Sequence, residues 1–486
     1  MIRSAAAAVG AGFLLAVQLA VASATTSPVV IVGAGLSGLT AGHELKKSRI
    51  DFQVFEADNR IGGRVRTEIG LFETGSLVTN RGAELVDSTN RNIRALLEEM
   101  HIGLISAKPE SHIAKRSVFF GGRLIPEAEF LQNLAARYPD QFSRLKSDGE
   151  RIKANAAQPR SRVHLHYDGL RAVAYLDSIG ITADTDLRTF INSCVKSETG
   201  ADLARADEQM SALLFFDNFQ IVNGQLAFIP DHDEAFRIEG GSARLAMALY
   251  DEFPEQVSLG HRLTSVASED GRRYTLAFET PTGPKQVKTN HLILTLPLER
   301  LRDLKMEIKG LAPEILSNLK ATTYSTNTKL TFYFDSRIWN EQGHSGGLLT
   351  DRGFQVWDSS FGQPGPSGSL TLYLGEVIHP DARAAHSAQA LADLELAFPG
   401  VSSHVLGKRY FTWRNSYSSS RAVVNEYTGA YRQQNPVGTL FLAGEYFGTS
   451  PGYMDSAVES GRSAAQAVIG DVRRCESLFM PKPATP

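Results

Sequence analysis

Three glycines near the start of the chain have the spacing of a loop that binds phosphate groups. Gly33, Gly35 and Gly38 form a G-x-G-x-x-G pattern directly after residues 29–32, which are all β-branched and apolar. Such a run predicts a strand that is buried on both faces. Gly33 permits a tight turn, Gly35 lets the backbone approach a pyrophosphate, and Gly38 lets the following helix pack closely on the strand. The pattern therefore predicts a dinucleotide site.

The elements around this turn support the same interpretation. A helix is predicted over residues 36–47, and the N–H groups of Leu36 and Ser37 in its first turn would point at the phosphates. Glu56 ends the next apolar run, close to the spacing of about 20 residues at which an acid meets the ribose 2′-hydroxyl. A carboxylate there disfavours NADP, whereas NAD and FAD both remain open. A structural turn without a ligand is the alternative.

The next segment carries a resemblance to a known family. Residues 60–67 read R-I-G-G-R-V-R-T and resemble the G-G-R-x-x-T extension of the flavin-containing amine oxidases, which include monoamine, polyamine and L-amino-acid oxidases. The resemblance implies FAD as the cofactor and places Arg64 at its phosphates. A guanidinium is a bidentate, charge-assisted partner for a pyrophosphate. A solvated basic loop is the alternative interpretation.

Further segments follow in the family's order over roughly residues 29–470. Residues 80–85 resemble the segment beside the flavin ring, residues 261–266 the strand that pairs with adenine, and residues 440–457 the C-terminal flavin signature. The resemblance assigns these positions to the cofactor: Gly82, Ala83, Glu84, Leu263, Gly444, Glu445, Gly452, Tyr453 and Met454. The N–H of Met454 is expected at the flavin C2 carbonyl, and Glu445 at the ribityl or phosphate region.

The resemblance also implies the fold, an α/β Rossmann-like FAD-binding domain with an interleaved α+β substrate domain. The FAD-binding domain is expected in three pieces, residues 28–88, 236–298 and 435–472. The substrate domain is expected at residues 89–235 and 299–434, with a tail at 473–486. Helical spacing of apolar residues after residue 93 and strand-like alternation from Lys329 are compatible with this division.

Two residues are candidates for the chemistry. Lys329 matches the family's lysine that holds a water near flavin N5, although an edge-strand lysine facing solvent is the alternative. Tyr453 matches an aromatic wall that flanks the amine beside the flavin. Flavin chemistry requires neither a nucleophile nor a metal, and the sequence shows no Cys/His spacing typical of a metal site.

Three further residues are candidates for substrate contacts. Trp413 and Tyr417 resemble the region of a second cage wall, with ordinary packing as the alternative. Asp87 lies near the position where polyamine oxidases carry an acid, and it could equally cap a helix.

Two departures from the family bear on the cofactor and the substrate. Residues 417–422 contain no cysteine, so FAD is expected to be bound non-covalently. Leu85 stands where L-amino-acid oxidases carry the arginine that binds the substrate carboxylate. An amino acid substrate would therefore need another cation, for which Arg81 is one candidate.

The resemblance predicts a specific reaction class. An FAD-dependent amine oxidase would oxidise a primary or secondary amine to an imine, with O2 reduced to H2O2. An L-amino-acid oxidase, a desaturase or porphyrinogen oxidase, and an accessory flavoprotein with little turnover are the alternatives. Lys329 and the turn at residues 452–454 argue against the desaturase group.

Composition and the chain ends complete the predictions. The 486 residues include 50 Lys and Arg against 53 Asp and Glu, and this balance gives no reason to expect nucleic acid or a membrane surface as partner. An apolar run ending in Ala22-Ser23-Ala24 predicts an export signal over residues 1–24, cleaved after Ala24, and hence a periplasmic or secreted protein. A retained anchor is the alternative. The oligomeric state and pairing of Cys194 with Cys475 remain open.

Overall fold

The computed structural model describes residues 25–107, 116–155, 157–158, 161–199, 210–229, 233–315, 317, 326–414, 435–449 and 451–479. The predicted signal over residues 1–24, the candidate residue Tyr417 and the end of the predicted tail at 480–486 lie outside these ranges.

The strands, in chain order, are β1 Thr25–Val32, β2 Phe52–Phe55, β3 Thr67–Ile69, β4 Val78–Asn80, β5 Leu85–Val86, β6 Leu104–Ser106, β7 Ser117–Phe120, β8 Arg123–Pro126, β9 Phe219–Val222, β10 Gln225–Phe228, β11 Phe236–Ile238, β12 Val257–Ser258, β13 Arg262–Ser268, β14 Tyr274–Thr280, β15 Gly283–Leu294, β16 Lys305–Ile308, β17 Asn327–Phe334, β18 Leu348–Thr350, β19 Gln355–Asp358, β20 Gly368–Leu374, β21 Val405–Trp413 and β22 Leu440–Leu442. The helices are α1 Leu36–Lys47, α2 Arg91–Glu99, α3 Glu127–Arg137, α4 Pro139–Lys153, α5 Arg162–Asp168, α6 Ala172–Ser178, α7 Asp186–Thr199, α8 Ala212–Asn218, α9 Ala243–Asp251, α10 Leu298–Asp303, α11 Ile338–Glu341, α12 Arg383–Ala397 and α13 Met454–Phe479.

The first large sheet carries the glycine turn. Its strand order is β12-β2-β1-β15-β14-β13-β16, with β22 beside β15. β1 runs parallel to both β2 and β15. Val29, Val30 and Ile31 are fully buried, as expected for a strand covered on both faces. The predicted α/β arrangement is therefore present, and α1 spans the residues predicted for it.

The last helix packs against the first. A Cβ on Gly461 of α13 would lie 2.2 Å from the carbonyl oxygen of Ser37, so only glycine permits this approach. At its N-terminus, α13 caps α2. Asp455 accepts hydrogen bonds from the backbone N–H of Ile93 at 2.8 Å and from the side chain of Asn92 at 2.9 Å. The C-terminal helix thus joins two helices from the start of the chain.

The second large sheet carries the candidate lysine. Its strand order is β21-β17-β20-β19-β18-β7-β8, and helices between α3 and α8 pack beside it around a separate apolar core. β17 pairs with β20 on one side and β21 on the other, and every residue of β17 is buried. Lys329 therefore does not lie on an edge strand.

A small three-stranded sheet connects these regions. β11 pairs antiparallel with both β5 and β6, and Arg237 lies opposite Leu85 in this ladder.

One strand does not follow the predicted division into an FAD-binding domain and a substrate domain. β16 falls within residues 299–434, yet it pairs parallel with β13 in the first sheet. Within the described ranges, no helix is both long and apolar enough to cross a membrane.

Candidate active site

A cavity of about 1950 Å³ is lined by residues of both large sheets and the loops that follow them. Small-ligand pockets have volumes of about 300–1,000 Å³, so this cavity has room for a dinucleotide and a second molecule. The predicted site residues on its wall are Gly33, Gly35, Leu36, Ser37, Glu56, Arg64, Gly82, Ala83, Glu84, Leu263, Lys329, Trp413, Gly444, Glu445, Gly452, Tyr453 and Met454.

The glycine turn has the geometry of a phosphate-binding loop. Gly33 has a φ of 108°, and a Cβ there would lie 2.4 Å from the Thr295 hydroxyl. A Cβ on Gly38 would lie 1.9 Å from the Gly33 carbonyl oxygen. A Cβ on Gly35, in contrast, would meet nothing within 4 Å. Gly33 and Gly38 are thus needed for packing, whereas Gly35 leaves open space on the cavity wall.

The acid predicted for the ribose is held across this turn. Glu56 Oε2 accepts a hydrogen bond from the Ala34 N–H at 2.7 Å, and Oε1 accepts one from the Asp58 N–H at 2.8 Å. At the adenine position, the register between β13 and β14 shifts between Leu263 and Ser265. Glu56 and Leu263 are both on the wall, and their contacts with the ribose and adenine stay predictions.

The middle of the cavity carries an ion pair and two helix N-termini. Arg64 Nη1 donates to Glu445 Oε1 at 2.6 Å, so Glu445 holds Arg64 on the wall. Both α1 and α13 begin at the cavity, and no side chain caps the N-terminus of α1. Their first-turn N–H groups and positive dipole ends favour electron-rich groups. These donors fit a dinucleotide that carries a pyrophosphate and a ring able to accept electrons.

Lys329 reaches from β17 to the segment predicted to lie beside the flavin. Its ammonium donates to the Gly82 carbonyl at 2.8 Å, the Asn80 carbonyl at 3.2 Å and Glu84 Oε2 at 2.9 Å. An ammonium has three N–H donors, and these acceptors match that number. The lysine is thereby fixed on the wall, although the water expected beside it stays a prediction.

Glu84 is shared by two cations. Its Oε1 accepts from Arg237 Nε at 3.1 Å and from the Trp357 indole at 3.2 Å, while Oε2 accepts from Lys329. Burial alone would raise the pKa of the Glu84 carboxyl. The charges of Lys329 and Arg237 outweigh that effect and hold the pKa below its usual value, so the carboxylate is ionised.

Two aromatic residues on the wall were predicted for the substrate. Tyr453 directly precedes α13, and Trp413 ends β21. The Trp413 indole donates to the Arg81 carbonyl at 2.8 Å, and a Cβ on Gly82 would lie 3.4 Å from its ring. Trp413 therefore packs against the segment predicted to lie beside the flavin.

Some predicted residues are not brought to the wall. Gly38 lies behind the turn, where it packs α1 on β1. Asp87 is buried away from the wall, and its Oδ1 accepts from the Glu234 N–H at 2.8 Å. The alternative role of Asp87, capping α2, is performed at the Ile93 N–H by Asp455.

Sequence reasoning did not find three residues of the site: Arg237, Trp357 and Thr295. Arg237 stands between Phe236 and Ile238, and a charge flanked by apolar residues in a strand is the signal that could have identified it. The Thr295 hydroxyl donates to the carbonyl of Val32 at 2.9 Å and so supports the glycine turn. Nothing in the sequence near Thr295 shows which strand it supports.

Comparison with known proteins identifies similar sequences over nearly the whole chain. The model of a family described as flavin containing amine oxidoreductase matches residues 36–469. The chain is 24% identical to the flavin-dependent L-tryptophan oxidase of Lentzea aerocolonigenes, over 92% of this chain and 98% of that protein. It is 23% identical to the flavin-containing amine oxidase A of Equus caballus, over 91% of this chain and 84% of that protein.

Solved structures share the fold. The cyclohexylamine oxidase of Brevibacterium oxydans superposes with a TM-score of 0.75 at 20% identity, over 92% of this chain and 100% of that one. Wild-type putrescine oxidase bound to putrescine superposes with a TM-score of 0.72 at 18% identity and the same coverage. The predicted fold class is therefore confirmed.

Proposed function

The chain belongs to the family of flavin-containing amine oxidoreductases, and from that premise we propose that it oxidises a primary or secondary amine to an imine with O2 as the electron acceptor. Family membership itself makes the protein an FAD-binding oxidoreductase that acts on amines. The amine class and the acceptor are the proposed part.

The observation that carries the proposal is the position of Lys329. A buried lysine on β17 extends to the carbonyl oxygens of Asn80 and Gly82, on the wall of a cavity that also contains the glycine turn. Lysine is rarely buried unless its ammonium is paired, because moving the charge out of water is costly. A fixed cation at this place can stabilise negative charge that develops during electron transfer.

The chain's own residues bind, orient and exclude water. Bound in the cavity, FAD supplies the oxidation by accepting a hydride equivalent from the carbon that carries nitrogen. The α1 N-terminus and Arg64 would hold the phosphates, and the α13 N-terminus would support the flavin end. Tyr453 and Trp413 present aromatic faces to the amine, which orient its C–H bond and keep water away.

The proposed reaction consists of amine oxidation followed by reduction of O2. The amine loses a hydride and a proton and becomes an imine, which water hydrolyses to a carbonyl compound and ammonia or a smaller amine. O2 takes up the two electrons and two protons and leaves as H2O2. Anaerobic mixing with a panel of primary and secondary amines should bleach the flavin absorbance, and admission of O2 should restore it with release of peroxide. If no amine bleaches the flavin, the proposal is wrong.

Non-covalent attachment gives a first prediction. Among the described residues, no cysteine lies on the cavity wall, so no thioether to the flavin is available there. Heat or acid denaturation should therefore release FAD into the supernatant, where its absorbance and chromatographic mobility identify it. Yellow colour that remains with the precipitated protein would contradict this.

Tyr453 gives a second prediction. Tyr453→Ala removes an aromatic face beside the proposed reacting carbon and should slow anaerobic flavin reduction by amine about 100-fold, since a misplacement of about 1 Å can cost that much. FAD content should be unchanged. Tyr453→Phe is the matched control, because it keeps the ring and should reduce at the wild-type rate. Equal reduction rates in wild type and Tyr453→Ala would remove Tyr453 from the site.

A further inference from the structure

Arg237 is a buried cation whose hydrogen-bonding capacity is incompletely used. It lies on β11, is 6% exposed and reaches the cavity wall. Its Nε donates to Glu84 at 3.1 Å and its Nη2 to the Asp358 carbonyl at 2.8 Å. Nη1 is buried and has no hydrogen-bond partner among the described residues. Buried donors are normally paired, and an unsatisfied one destabilises the folded protein, so its presence calls for an acceptor.

The charges around Arg237 leave an excess of one positive charge. Lys329 and Arg237 share the single carboxylate of Glu84. The Asp358 carboxylate accepts from the Trp339 indole and from the Ser360 N–H, and burial raises the pKa of its carboxyl although the charge of Arg237 lowers it, so Asp358 is a weak counter-ion. By comparison, Arg116, a partly exposed arginine on the same wall, is paired with both oxygens of Glu127.

Glu234 is a further acid that interacts with Arg237. It lines the cavity and is exposed to solvent, so its charge is screened from Arg237. Glu234 is therefore a weak counter-ion, and the excess positive charge stays with Arg237 and Lys329.

The position of Arg237 fixes where an anion would lie. Arg237 and Lys329 contact opposite oxygens of the same carboxylate, at 3.1 and 2.9 Å, so Glu84 lies between the two cations. Arg237 also lies opposite Leu85 in the β5–β11 ladder, and opposed residues in a ladder project from the same face of a sheet. Leu85 has no charge to offer an anion, whereas its neighbour Arg237 does.

We propose that Arg237 binds a carboxylate of the substrate and that the preferred substrates are α-amino acids. This proposal rests on the proposed amine oxidation. An anion held beside Lys329 lies close to the reacting carbon, which places the carboxylate next to the amine and not at the far end of the molecule. Binding it satisfies the open N–H and balances the charge of the Arg237–Glu84–Lys329 group.

Substrate pairs that differ only by the carboxylate test this directly. L-Phenylalanine is compared with phenethylamine, and L-tryptophan with tryptamine, by anaerobic flavin reduction in rapid mixing. Wild type should reduce at least 100-fold more efficiently with the amino acids. Arg237→Gln should lose about 30-fold or more in the ratio of apparent affinities for each amino acid over its matching amine, because loss of one partner of a buried charge pair costs at least about 2 kcal/mol.

Binding of an inert carboxylate provides a readout that does not depend on turnover. Benzoate should perturb the flavin absorbance of wild type and bind about 30-fold more weakly to Arg237→Gln, with partial recovery in Arg237→Lys. Arg237→Gln should fold, since it leaves Lys329 and Glu84 as a neutral pair. Arg244→Gln is the matched control, because Arg244 pairs with Glu239 outside the cavity wall and its loss should change nothing.

The outcomes separate the two proposals. If amines and amino acids react equally well in wild type and in Arg237→Gln, the carboxylate proposal is wrong while amine oxidation stands. If neither class bleaches the flavin, amine oxidation is wrong, and benzoate then decides the role of Arg237. Equal benzoate affinity in wild type and Arg237→Gln would overturn that role.

Discussion

A Lys329→Met variant should retain FAD but react slowly, chiefly when O2 reoxidises the flavin. Methionine keeps much of the lysine's volume but removes a cation that would stabilise negative charge developing on oxygen. Loss of one such preorganised group typically slows a reaction about 100- to 1,000-fold. Rapid-mixing absorbance measures the reductive and oxidative half-reactions separately. Equal reoxidation rates for wild type and variant would show that Lys329 does not serve the flavin.

Lys329 and Arg237 share the carboxylate of Glu84. Removing the lysine and neutralising the carboxylate should therefore lower the free energy of unfolding by different amounts. Lys329→Met leaves Glu84 paired with Arg237, so the expected cost is about 1–3 kcal/mol from the unpaired carbonyl oxygens of Asn80 and Gly82. Glu84→Gln, although nearly isosteric, leaves two buried cations without their anion and should cost about 3–5 kcal/mol. Denaturant unfolding of the two variants compares these costs. The reverse order would mean that Glu84 is not ionised in the folded protein.

Two glycine substitutions should separate cofactor binding from folding. A Cβ on Gly35 meets no atom within 4 Å, and the φ of Gly35 is −78°, which suits any L-residue. In the absence of FAD, Gly35→Ala and wild type should therefore unfold at the same denaturant concentration. Its methyl group nevertheless enters the space where the pyrophosphate is expected, and FAD affinity should fall at least about 100-fold.

Gly38→Ala is the comparison for that variant. Its Cβ would lie 1.9 Å from a backbone oxygen of Gly33, so α1 must move away from β1, at a cost of about 3 kcal/mol or more. This variant should lose both stability and FAD. FAD affinity is followed by flavin fluorescence quenching. If Gly35→Ala bound FAD with wild-type affinity, the dinucleotide would not be bound at the glycine turn.

Local patterns were sufficient to predict the elements that hold the cofactor. The apolar run before Gly33 and the glycine spacing predicted β1 and the bounds of α1. Arg64 and Lys329, which both lie on the cavity wall, were predicted from the resemblance of their segments to the amine oxidases. In each case, the informative residues lie within about ten positions of one another.

The partners of those residues could not be predicted, because they lie far away in sequence. Arg64 pairs with a residue 381 positions distant, and Lys329 donates to a carbonyl 247 positions distant. Arg237 meets Glu84 only because β11 pairs with β5. Such contacts depend on which strands become neighbours, and hydrophobic periodicity does not specify that. The pairing of β16 with the first sheet was missed for the same reason.

The cap that Asp455 places on α2 has a consequence for biosynthesis. The two bonded residues, Ile93 and Asp455, are 362 positions apart, and β22 also adds to the first sheet late in the chain. At about 5–20 residues per second, a ribosome needs roughly 20 to 70 s to synthesise the intervening chain. During that time α2 lacks its cap and the glycine turn lacks the helix that packs over it. The nascent chain therefore has no complete FAD site, and cofactor loading must wait until β22 and α13 have been synthesised.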